Sequence, residues 1–97
     1  QNIVISNIYF DLIFIDSNHR YEATLKYFEL LKNNISFRAI VIFDDIHWSF
    51  GMRRAWREIC TQKGVVFSIN LFKLGLIVFD SKQSKPTDDH YQLFLSL

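Results

Sequence analysis

The chain has 97 residues, 49% hydrophobic and 22% charged, with three Gly, one Pro and a formal net charge of +1. This length and composition describe one small globular domain spanning residues 1–97, with room for a single apolar core. Eleven basic and ten acidic residues, scattered along the chain, carry no footprint for nucleic acid or an anionic membrane, which leaves a small molecule or a protein as the expected partner.

The first strong element is Phe10-Asp11-Leu12-Ile13-Phe14-Ile15, a β-branched and aromatic run that reads as a strand covered on both faces of a parallel sheet. It ends in Asp16-Ser17-Asn18. From Arg20 to about Asn33, Tyr21, Leu25, Phe28 and Leu31 recur at helical spacing, with Asn18 placed to cap and Glu22 in the first turn. Ala39 to Phe43 repeats the buried-strand pattern and again runs into acid, Asp44-Asp45.

After Ser49 a second helix is predicted, with Met52, Ala55, Trp56 and Ile59 on one face, Arg53, Arg54 and Arg57 elsewhere, and Gly64 placed to stop it. Val65 to Asn70 and Leu76 to Asp80 read as an antiparallel pair joined around Lys73-Leu74-Gly75. Asp80 to Asp89 is a polar loop holding Pro86, and Tyr91 to Leu97 is left between a short strand and loose packing. The resulting order β-α-β-α-β-β implies an α/β fold with a mostly parallel sheet, an antiparallel edge hairpin and flanking helices.

The lone Cys60 has no internal disulfide partner and suits a reducing compartment, so the cytoplasm is the expected location. No apolar run approaches the ~20 residues of a spanning helix, and the N-terminus lacks a secretion pattern.

In open parallel sheets, chemistry gathers outside the carboxyl ends of the strands. Both acidic clusters sit at such ends, and on neighbouring strands ~4.8 Å apart Asp16, Asp44 and Asp45 would repel unless a cation lay between them. Three hard oxygen ligands suit Mg²⁺ or a similar divalent cation. Local turn and cap roles explain any one of these residues equally well. His19 and His47, just past the two clusters, are the candidate general bases, and a solvated surface is the alternative for each. Trp48 and Phe50 either wall an apolar substrate pocket or pack in the core. Arg53, Arg54 and Arg57 suit a phosphate or carboxylate clamp, with a solvated helix face as the default.

The segments Phe10 to Glu22 and Ala39 to Trp48, followed by Gly51 and Ala55-Trp56, resemble the C-terminal half of class I S-adenosylmethionine-dependent methyltransferases, small-molecule O-methyltransferases in particular. The resemblance runs from about residue 10 to residue 80. It implies a Rossmann-like methyltransferase fold and transfer of a methyl group to a hydroxyl of a small-molecule acceptor. In metal-dependent relatives, among them catechol O-methyltransferase and antibiotic sugar methyltransferases, the acidic strand ends match Asp16, Asp44 and Asp45. There a divalent metal holds two substrate oxygens and lowers the pKa of the attacking hydroxyl. Asp16 also falls at a cofactor-facing position, and either His19 or His47 would take the proton.

Two departures accompany the resemblance. The family's Gly-rich turn and the acidic residue of its second strand are not among these residues, so S-adenosylmethionine would be held mostly elsewhere. The family sheet order 3-2-1-4-5-7-6 would be represented only by 4-5-7-6, leaving Phe10–Ile15 at an open edge. Such an edge implies self-association through that strand, or cover by Gln1 to Ile8. Two other readings stand beside this one. A receiver-like phosphoacceptor domain also uses strand-end acids and Mg²⁺, but with the acidic pair before the acceptor. A non-catalytic α/β remnant or assembly module would keep the fold without the chemistry.

Overall fold

The computed structural model describes residues 2–5, 8–16, 20–34 and 38–93. Their order is β1 (Asn2–Ile5), β2 (Ile8–Ile15), α1 (Tyr21–Asn34), β3 (Arg38–Asp44), α2 (Phe50–Cys60), β4 (Val65–Asn70), β5 (Leu74–Asp80) and β6 (His90–Gln92). The strands form a six-stranded sheet in the order β1-β2-β3-β5-β4-β6. Its four central strands, β2-β3-β5-β4, stand in the order 4-5-7-6 that the resemblance implies.

The sheet is not mostly parallel. Of the five pairings, β2 with β3 and β4 with β6 are parallel, while β1 with β2, β3 with β5 and β4 with β5 are antiparallel. Connection length explains the difference: only a crossover such as α1 returns the chain in the same direction, whereas the short link Leu71–Lys73 forces β5 back along β4.

Among the described residues, helices do not cover both faces of the sheet. Along β3, Ala39, Val41 and Phe43 are fully buried and alternate with half-buried Ile40 and Ile42. Phe28 of α1 and Met52, Trp56 and Ile59 of α2 join the buried side of β3 in one cluster, so both helices lie on that face. The opposite face carries Leu12, Ile40, Ile42, Leu76 and Val78, half-buried beside one another, with no helix over it among the described residues. The apolar runs thus reflect one helix-covered face and one face shielded by its own neighbouring side chains.

Local chemistry accounts for α2. The Ser49 side chain accepts a hydrogen bond from the Met52 amide at 3.0 Å and caps the first turn, and Met52, Ala55, Trp56 and Ile59 are buried as their spacing predicts. The helix stops at Thr61, whose amide reaches the Glu58 carbonyl at 3.2 Å. Gly64 lies beyond that stop, in the turn into β4. Its φ of +96° favours glycine, and a Cβ there would stand 2.3 Å from the Phe79 ring.

The two helices are tied by a polar cluster as well as by the core. Tyr21 donates to Glu58 at 2.6 Å, the Arg54 guanidinium lies 4.4 Å from the centre of the Tyr21 ring, and Arg54 approaches Glu58 at 3.5 Å. The Glu58 hydrogen bond raises the Tyr21 pKa. At the start of β3, Arg38 pairs with Asp80 across the sheet at 3.1 Å. The Lys82 amide, donating at 2.9 Å, and then Arg38 hold the Asp80 carboxyl below its ordinary pKa.

Asn18, expected to cap α1, lies outside the described residues. The β4–β5 link falls two residues earlier than its sequence suggests, and Gly75 belongs to β5. There it lies against Trp56, where a Cβ on Gly75 would stand 2.5 Å from the ring. Gly75→Ala therefore destabilises the fold by about 1–3 kcal/mol through overpacking. Urea unfolding should show a lower midpoint with an unchanged slope, and an unchanged midpoint would contradict the close approach.

Candidate functional site

The parallel pairing of β2 with β3 sets Ile15 beside Phe43, so Asp16 and Asp44 follow at adjacent carboxyl ends. Asp16 is exposed and Asp44 is half-buried. The next residue, Asp45, has a φ of +51°, in the left-handed region that Asp tolerates better than most residues. This turn takes the chain out of the strand. The Asp45 carbonyl accepts from the Trp48 amide at 3.0 Å, and buried Ile46 donates from its amide to the Lys73 carbonyl at 3.2 Å.

Strand alternation keeps Asp44 on the side of Ile42, while the left-handed turn redirects Asp45. Among the described residues, no group of three or more His, Cys, Asp or Glu side chains is placed to hold a metal ion. The set Asp16, Asp44 and Asp45 is therefore brought to one end of the sheet but not assembled into a ligand cluster.

His19 lies outside the described residues. His47 is bonded through Nε2 to Asn70 Oδ1 at 3.2 Å, and its ring centre lies 5.7 Å from that of Phe72. Both partners are on the β5–β4 side of β3, opposite the flank on which β2 carries Asp16. Trp48 and Phe50 are 69% and 67% exposed, so neither is a core residue. They form an aromatic rim just past the acidic turn.

Two concavities flank this region. An apolar cleft of about 290 Å³ runs between β2 and α1, with Phe14, Tyr27 and Leu30 along it and Asp16 at its end. A larger pocket of about 490 Å³ lies between α2, β4 and β6. Into it face Arg53 and Arg57, one turn apart on α2, together with His47 and the buried Ser68, whose hydroxyl is 2.7 Å from Nδ1 of His90. The spacing of the two arginines was readable as a possible clamp; its opposite wall was not, because β4 and β6 are remote in sequence.

A family model described as a methyltransferase domain matches residues 3–46. The match takes in β1, β2, α1 and β3 and stops just after the acidic turn, somewhat short of half the chain. It supports a methyltransferase domain and, in general terms, methyl transfer as the chemistry. No curated protein and no solved structure matches the chain.

The residues present do not by themselves fit S-adenosylmethionine. Gly51 lies in α2, Gly64 packs on Phe79 and Gly75 packs under Trp56, so none of the three builds a Gly-rich strand-to-helix turn. No helix among the described residues is long and apolar enough to cross a membrane.

Cys60 is buried beside this pocket, and burial pushes its thiol up to about 11, against a smaller opposing effect from a hydrogen bond with Ser68. A thiol raised in the folded state destabilises the fold as pH climbs from its unfolded value of about 8.5 toward that folded value, because the unfolded chain then binds fewer protons. Iodoacetamide at pH 8.5 should label Cys60 at least ~10-fold more slowly in the folded protein than in urea. Equal rates would show an accessible thiolate.

Proposed function

We propose that this chain forms the acceptor side of an S-adenosylmethionine-dependent methyltransferase that methylates a hydroxyl of a small molecule. The observation that carries the reading is the pair of acidic strand ends, Asp16 after β2 and Asp44-Asp45 after β3, on adjacent parallel strands within the matched residues 3–46. Exposed Trp48 and Phe50 beside them supply an apolar rim on which an acceptor ring can rest. In this reading Asp16 and Asp45 orient the acceptor hydroxyl, and His19 or His47 takes its proton. S-adenosylmethionine supplies the methyl group and is held mainly by residues beyond these 97. A divalent cation is the finer form of the notion for metal-dependent relatives, but among the described residues the carboxylates do not converge on one point. A reducing cytoplasmic setting suits the single buried Cys60.

Methyl transfer from labelled S-adenosylmethionine to simple and vicinal phenols, measured on the whole protein that carries this chain, tests the proposal. Asp16→Asn and Asp45→Asn should each lower kcat by ~10-fold or more with unchanged thermal midpoint. Turnover that ignores both substitutions, or no turnover by the unsubstituted protein, would support the non-catalytic remnant instead.

Self-association is proposed alongside. β1 covers β2 from Ile8 to Asp11, which leaves Leu12–Ile15 without a neighbour on that edge among the described residues. Two copies joined antiparallel about Ile13 and Phe14 would set Asp11 of one opposite Asp16 of the other, and like charges directly opposed weaken a strand pair. Sedimentation should therefore show a weak dimer that tightens as salt is raised. A monomer at every salt and protein concentration would sink the idea.

A further inference from the structure

The pocket between α2, β4 and β6 has a chemical character distinct from the acidic strand ends. Arg53 and Arg57 are exposed on successive turns of one helix face. Arg54, between them, is engaged with Glu58 and Tyr21, but neither Arg53 nor Arg57 pairs with a carboxylate among the described residues. Among the described residues, the side chain of Arg53 makes one hydrogen bond, to the His47 carbonyl at 3.5 Å, long enough to be weak. Among the described residues no Asp or Glu lines the pocket, while two guanidiniums do; Ser68 and His90 bond each other there, and His47 bonds Asn70.

The remaining lining combines the apolar surfaces of Trp56, Cys60 and Tyr91 with the polar Thr61, Asn70 and Gln92. Trp56, largely buried, forms the floor, and half-exposed Tyr91 of β6 forms the outer side. At about 490 Å³ the space is within the range of small-molecule sites. A purely inorganic anion would leave those walls unused, and a neutral apolar molecule would leave two arginine forks facing a low-dielectric wall without a counter-charge.

We propose that this pocket binds a small organic oxyanion, a carboxylate or phosphate monoester on an aromatic or branched apolar body. Arg53 and Arg57 hold the oxyanion, and Trp56 and Tyr91 cover the body. Because β4 runs in the same direction as β3, the mouth of the pocket at His47 and Asn70 opens at the sheet end that carries Asp44. The site does not depend on the methyl-transfer reading, and its test reads binding rather than turnover.

Calorimetric titration of the folded protein with benzoate, phenyl phosphate, inorganic phosphate and neutral benzamide decides the matter. Benzoate or phenyl phosphate should bind at least ~10-fold more tightly than benzamide and than inorganic phosphate. The double variant Arg53→Gln, Arg57→Gln should lose that margin with its thermal midpoint unchanged, whereas Arg54→Gln should retain it. Charge reversal at one position, Arg57→Glu, should abolish binding of both organic anions. The proposal is overturned if benzamide binds as well as benzoate, if inorganic phosphate matches phenyl phosphate, if the double variant binds normally, or if none of the four probes binds.

Discussion

The contact on which the rest of the structure depends is the indole of Trp56 against the backbone at Gly75. Trp56 also meets Phe43 with ring centres 5.7 Å apart, and Phe43 continues through Phe28 at 6.0 Å to Phe79 at 6.1 Å from Phe28. Phe43 and Gly75 are register partners on β3 and β5. A large ring on the helix therefore needs a residue without a side chain directly beside Phe43, and β5 supplies it at Gly75. The same glycine pairs on its other side with Asn70 of β4. Through this one position α2, β3, β5 and β4 are held in a single register, and Asn70 comes within reach of His47.

That register separates charge. Carboxylates collect at the ends of β2 and β3, while Arg53, Arg57, His47 and His90 collect around the pocket beside β4 and β6. The net charge of +1 conceals this division because it sums over two flanks of opposite sign. Under the two proposals, a ligand suited to one flank is disfavoured by the other, and the regions share only the loop around His47.

The sheet is built from one side. Both helices pack on the face of Val41, Phe43 and Ile77, and the Tyr21–Glu58–Arg54 cluster joins them to each other above it. On the second face the strands shield one another, which explains why residues such as Ile40, Ile42 and Val78 are apolar yet only half-buried. Composition alone does not distinguish this arrangement from a sheet enclosed by helices, because both require alternate residues on each face to be apolar.

Periodicity was sufficient for α1, α2 and the four central strands, since the helical spacing of Met52, Ala55, Trp56 and Ile59 acts over a few residues. The acidic residues at the ends of β2 and β3 were equally legible, because a strand that stops in Asp announces its own end. What only the tertiary structure decided involves residues far apart in sequence: how much of β2 the N-terminal segment covers, both helices on one face, and His47 turned to Asn70 rather than to Asp16. The left-handed turn at Asp45, which redirects one of the three acids, is likewise a backbone choice that its own side chain permits but does not compel. Sequence patterns carry information about neighbours within a turn or a strand, whereas the pocket of Arg53 and Arg57 needs a wall supplied by β4 and β6, and only packing brings that wall to α2.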